Sequence, residues 1–170
     1  MLDRLRLSHV IAAAVLLLAP LFAIGWATRN DPAETPLLGI FGGGFIFNYR
    51  EGEVYYGFTA VVQKPLESGS IIEATFEDPT GEPAHVVRER VTAMTNKYPL
   101  RSPPVRGVKA GKGYEVDIRV LDRTGEEELF AATRTYHSQI SDDIVPDKPL
   151  TVGPGYHLNP EAEENQGQRL

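Results

Sequence analysis

The stretch Tyr114-Glu115-Val116-Asp117-Ile118-Arg119-Val120 decides the fold class. Apolar Tyr114, Val116, Ile118 and Val120 alternate with charged Glu115, Asp117 and Arg119. A period of two puts the first set on one face of a strand and the second on the other. The same alternation recurs upstream. Val54, Tyr56, Phe58, Ala60 and Val62 share a face, as do Ile72, Ala74 and Phe76, while Phe45, Phe47 and Tyr49 alternate with Ile46 and Asn48. After the N-terminal leader no stretch sustains a helical period, so an all-β domain is expected from about residue 40 onward.

Turn chemistry then sets the pairing. Arg50-Glu51-Gly52 separates two strands closely enough for a hairpin. Asp78-Pro79-Thr80-Gly81 carries the residue preferences of a type I turn. Asp122-Arg123-Thr124-Gly125 closes a third hairpin, with Gly125 suited to the left-handed conformation. Lys64–Ser70 is long enough to cross between sheets. Three hairpins joined by crossing links predict a two-sheet sandwich. Within Ala84–Arg106, the run Ala84–Met94 reads as one long strand, and Tyr98–Pro104, with three prolines, as an edge or irregular segment.

Ahead of this domain, Val10–Ala27 is an uncharged apolar run of 18 residues, enough for a helix of roughly 27 Å. Arg4 and Arg6 precede it and Arg29 follows it. That bias places the N-terminus in the cytoplasm and the bulk outside. A retained single-pass anchor is the leading expectation, because the run is longer than a typical signal core. Gly25-Trp26-Ala27 offers small residues at a peptidase site, so a cleaved signal peptide is the alternative. Export is common to both. The division expected is 1–27 anchor or signal peptide, 28–39 linker with Pro32 and Pro36, 40–143 sandwich, 144–160 an extended Pro/Gly-rich arm, and 161–170 a disordered tail.

The chain has 170 residues, no cysteine, and 17 basic against 23 acidic side chains, a net charge of −6. The length suits one domain with extensions. Lack of cysteine excludes disulfides, thiolate metal sites, thiol nucleophiles and an N-terminal lipidated Cys. From Asn30 onward 14 Lys and Arg face 22 Asp and Glu, a net of −8. Nucleic acid is therefore not an expected partner, and neither is an anionic lipid surface.

The run Val108-Lys109-Ala110-Gly111-Lys112-Gly113-Tyr114-Glu115-Val116 resembles the strand E to strand F corner of fibronectin type III and related immunoglobulin-like sandwiches. Val108, Gly111 and Tyr114 match the pattern, and Ala110 stands where that family usually has Pro. The resemblance implies a tyrosine corner, with the Tyr114 ring in the core and its hydroxyl returning to backbone just upstream. The three hairpins agree with that family's A-B, C-C′ and F-G order. The second strand carries Tyr and Phe where the family has a core Trp, and the chain's one Trp is Trp26, in the leader. The likeness implies a fold, not an activity.

Catalytic and metal motifs are not legible. Glu82-x-x-His85 is broken by Pro83 as a helical ligand pair. His137-Ser138, with Asp142 and Asp143 nearby, invites a hydrolase reading, but neighbours along a strand point to opposite faces. Gly42-Gly43-Gly44 lacks the Lys-Ser/Thr and helix of a phosphate loop, and reads as a hinge, a bulge or a close-contact site. Acidic Asp122 and Glu126–Glu128 lack the spacing of a calcium loop. No cofactor is expected. Gly81, Gly111, Gly125 and Tyr114 carry structural roles.

One face exceeds a plain solvated surface. Tyr55, Gly57, Thr59 and Val61 alternate on what should be the polar side of their strand, and Ile71 and Leu121 also fall on outer faces. Tyr55, Thr59, Val61 and Ile71 are thus the candidate partner-binding residues, covered either by the C-terminal arm or by another protein. The reading is a non-enzymatic, membrane-anchored extracytoplasmic interaction module, an accessory or scaffold subunit with a protein partner. Alternatives are a small-ligand or glycan-binding domain stacking sugars on Tyr98, Tyr136 or Tyr156, and, more remotely, a hydrolase built on His137.

Overall fold

A single helix, α1 (Leu7–Ala27), precedes the β region. Its residues from His9 to Ala27 form an apolar surface long enough to cross a membrane, a property shared by anchors and signal sequences. Pro20 lies within it and withholds one backbone donor from the helical ladder. Thr28 ends it, its hydroxyl donating to the Ile24 carbonyl at 2.8 Å. The computed structural model describes residues 7–28 and 35–162. The helix and the β region from Pro36 onward are separate compact units, each described by itself.

The β region holds β1 (Leu38–Asn48), β2 (Glu53–Val62), β3 (Ile71–Phe76), β4 (His85–Arg90), β5 (Lys97–Arg101), β6 (Gly113–Leu121) and β7 (Glu128–His137). One antiparallel sheet has the order β1-β2-β5 and a second the order β4-β3-β6-β7. Hairpins join β1 to β2, β3 to β4 and β6 to β7, and the links after β2, β4 and β5 change sheets. The architecture is sandwich-like and mostly β.

Alternation supplies the core. Val54, Tyr56, Phe58 and Ala60 from β2 share one apolar cluster with Ile72, Ala74 and Phe76 from β3 and Tyr114, Val116, Ile118 and Val120 from β6. Rings bridge the two sheets, with the Tyr56 ring edge-on to Phe76 at 5.2 Å and Phe45 edge-on to Tyr114 at 5.4 Å. Buried hydroxyls are paired locally, as their desolvation demands. Tyr56 donates to the Glu77 carbonyl at 2.6 Å, and Tyr98 donates to the Thr95 carbonyl and accepts from the Thr92 N–H. Burial, followed by the nearby negative charge of Glu77 and Asp78, pushes the Tyr56 hydroxyl far above its ordinary range.

Several sequence expectations are corrected. The long strand expected over Ala84–Met94 ends at Arg90, because Val91 turns into the core and the chain crosses to the other sheet. The Tyr98–Pro104 stretch, expected as an edge or irregular segment, does begin in an edge strand, β5, paired with β2. The expected 28–39 linker overruns β1, since Leu38 is buried and paired with Val62. The 144–160 arm is not simply extended. Val145 enters the core, and β8 (Thr151–Val152) pairs with β9 (His157–Leu158) in a small hairpin. Linker residues 29–34 and tail residues 163–170 lie outside the described residues.

Candidate functional site

The site is built on the outward face of β1-β2-β5. β2 is the central strand, so its odd-numbered residues look away from the core. Register sets Tyr55 beside Ile46, Gly57 between Gly44 and Arg101, Thr59 between Phe41 and Pro99, and Val61 between Gly39 and Lys97. Phe41 is 52% exposed and Ile46 45%, while Tyr55, Thr59 and Val61 are half-buried.

A groove of about 370 Å³ opens here, lined by Phe41, Ile46, Thr59, Pro99 and Arg101 around Gly44 and Gly57. Its floor is made of backbone because two glycines face each other across the β1-β2 ladder. At Gly57 this is obligatory, since a Cβ would stand 2.3 Å from the Leu100 carbonyl oxygen. The Gly42-Gly43-Gly44 run is the bulge that shifts the register of β1 between Phe41 and Gly44. It also lets the Tyr136 ring of β7 lie against the backbone, where a side chain at position 43 would meet it at 2.3 Å. Tyr136 in turn lies nearly parallel to Phe58 at 6.4 Å. Its hydroxyl is buried without a partner among the described residues, and burial raises it above the ordinary range.

Charge beside the groove is sparse and positive. The Arg101 guanidinium lies 4.3 Å from the Tyr55 ring centroid, and Lys97 flanks Val61. The face can therefore hold apolar side chains in a slot beside a cation.

Three of the four residues expected to bind a partner, Tyr55, Thr59 and Val61, are brought together here. Ile71 is not. It lies on β3 in the other sheet, opposite Leu121 and beneath the Gly125 turn, because long-range pairing and not local pattern assigns a strand to its sheet. The C-terminal arm does not cover the groove as one expectation held. Its backbone bonds reach Arg50, and Arg106 clamps the Pro146 and Gly52 carbonyls at the far turn. Phe41, Ile46, Pro99 and Arg101 went unnoticed in the sequence, although Phe41 borders the triglycine signal and Ile46 lies two residues beyond it.

The other singled-out residues serve the fold. Gly81, Gly111 and Gly125 have φ of 85°, 76° and 82° at their turns. Tyr114 is fully buried and its hydroxyl accepts from the Lys109 N–H at 2.8 Å. Of the expected stacking platforms, Tyr156 stays on the surface at 63% exposure and the other two do not. Tyr98 is 5% exposed, Tyr136 fills the seam against Phe58, and Arg50 covers the Tyr156 ring at 4.3 Å. Ser138 is buried and donates to the Ile140 carbonyl at 2.5 Å, so its hydroxyl is not offered to His137. His85 is held by Asp78 at 2.8 Å, within the turn that Asp78 also pins through Thr80. Asp122 accepts from the Gly125, Glu126 and Glu127 amides and the Thr124 hydroxyl, which together hold its carboxyl far below the usual range. Among the described residues no cluster of three or more His, Asp or Glu is placed to hold a metal ion.

No known family model matches the chain, and no curated protein matches it either.

Proposed function

We propose that the protein is an exported, non-enzymatic interaction module that α1 associates with the membrane, and that the outward face of β1-β2-β5 docks a partner protein. The groove between Phe41, Thr59, Pro99 and Arg101 carries the reading. It is a preformed apolar slot on a domain of net charge −8, the pattern of a recognition patch. The role is that of an accessory or scaffold subunit in the cell envelope. The hairpin placement β1-β2, β3-β4, β6-β7 and the back-bonded Tyr114 support a fibronectin-III-like version of the sandwich.

The absence of cysteine makes location directly testable. A Met94→Cys variant, at a position 93% exposed, is expected to react with a membrane-impermeant maleimide on intact cells and to stay in the membrane fraction. Labelling only after lysis overturns the export reading. For the face, a photo-crosslinking residue at Thr59 in native membranes is expected to give one adduct of defined mass. Tyr55→Lys with Val61→Lys should abolish it while circular dichroism shows the fold retained. An adduct that persists in that variant sinks the docking face.

A further inference from the structure

Two antiparallel sheets leave four edge strands, and an exposed edge is a template for pairing with another chain. Three of the four are guarded. In β5 the bonds Ser102 N–H to Tyr56 and Val62 N–H to Asn96 show that even-numbered residues face β2, which leaves Lys97, Pro99 and Arg101 facing outward. Pro99 has no N–H, and both backbone groups of Lys97 are taken by the Thr95 hydroxyl. β4 is six residues long and carries Arg88, Glu89 and Arg90. β1 is broken by its triglycine bulge.

β7 is different. The bond from Glu77 N–H to the Glu115 carbonyl shows that odd-numbered residues of β6 face β3, so its even-numbered residues bond to β7. The outward groups of β7 are therefore those of Ala131, Thr133, Thr135 and His137. The Thr133 carbonyl confirms this direction, since it is met by the Arg134 side chain and not by a strand. From Phe130 to His137 the strand has no proline, glycine or bulge and one formal charge, Arg134.

We infer that β7 pairs antiparallel with β7 of a second copy of this chain, centred on Thr133. A two-fold pairing must match outward groups with outward groups, so its centre falls on a residue and not between two. Overlap of the regular stretch is longest about Thr133 or Arg134, and centring on Arg134 would set that cation opposite itself, so Thr133 is the centre. This sets Thr133 opposite its own counterpart, Ala131 opposite Thr135, Ala132 opposite Arg134, and Phe130 opposite Tyr136. Charge supports a second copy as the occupant. In a domain of net charge −8, the regular part of β7 carries no acidic residue, so no carboxylates oppose across the pairing. The surface lies on the other sheet from the proposed docking groove and does not depend on that reading. Confinement by α1 to a membrane would raise the effective concentration of two copies.

The test is disulfide trapping in a chain without native cysteine. Directly opposed hydrogen-bonded residues have Cα atoms about 5.5 Å apart, inside the disulfide range. Full-length Thr133→Cys in native membranes under mild oxidant is expected to become mainly a covalent dimer, with Met94→Cys remaining monomeric. Co-expressed Ala131→Cys and Thr135→Cys chains should cross-link to each other more than to themselves. Adding Ala131→Pro to Thr133→Cys removes an outward N–H only, and should abolish the dimer while circular dichroism and Tm hold. Monomeric Thr133→Cys, or equal trapping at Met94, overturns the proposal. So does a dimer that survives a folded Ala131→Pro variant.

Discussion

The two outward sheet faces share a pleat but treat their surfaces oppositely. On β4-β3-β6-β7, Glu73 is 1% exposed, flanked across both ladders by Arg88 at 2.6 Å and by Arg119. Burial alone would raise its carboxyl, yet the hydrogen bonds and charges of Arg88 and Arg119 outweigh it and hold the group below the usual range. On β1-β2-β5 the central strand offers Tyr55, Gly57, Thr59 and Val61, and the nearest charge, Arg101, rests on an aromatic ring. One face satisfies itself with ions. The other leaves apolar groups and a slot for something else, which is why the docking reading rests on it.

Breaking the ionic face should have the largest effect. Arg88→Ala with Arg119→Ala strands a buried carboxylate, and urea denaturation at pH 7 should show a loss of about 3 kcal/mol, the low end for such a cluster because water reaches the half-exposed arginine positions. The pH dependence gives the sign. Glu73 is lowered in the folded wild type, so its stabilisation is present above the unfolded carboxyl pKa and is lost as pH falls through the folded value. In the double variant the buried carboxyl is raised instead, and protonation relieves it. The stability gap between the two proteins should therefore narrow on acidification below about pH 5. A gap constant with pH would show that Glu73 is not the stranded group. The apolar face breaks through its backbone. Gly57→Ala drives a methyl against the Leu100 carbonyl and should cost about 2 kcal/mol by parting β2 from β5. Tyr114→Phe, which leaves the Lys109 N–H without its acceptor at the corner, should cost about 1 kcal/mol.

This contrast also marks where the sequence stops being readable. The strands β2, β3 and β6 and their hairpins were legible because alternation and turn residues are local signals, and Tyr55, Thr59 and Val61 came with them. Glu73 reads locally as an outward polar residue. Its burial comes from arginines 15 and 46 positions away, brought in by two ladders. Ile71 failed for the same reason, since its local pattern resembles that of Tyr55 while its sheet is chosen by pairing with β4 and β6. The groove lay half in view. Glycines at 42–44 announced a bulge, but Pro99 and Arg101 reach it only because β5 returns to β2 across a whole intervening hairpin.

The smallest expected effect is the one that tests the comparison most sharply. Tyr55→Lys and Val61→Lys keep side chains already directed outward, at the cost of the Arg101 contact with the Tyr55 ring and of an ammonium set opposite Lys97. Lysine can lay its methylenes along the sheet and keep its ammonium in water. Because solvent screens both effects at the surface, thermal denaturation should show each single variant destabilised by about 0.5 kcal/mol. A face that served the fold, as the opposite one does through Glu73, would respond like a core position and lose several times that amount. Near-neutral stability together with a lost Thr59 adduct would mean that the apolar character of β2 is maintained for a partner. A large loss of stability would make both faces structural and leave the chain without a docking surface there.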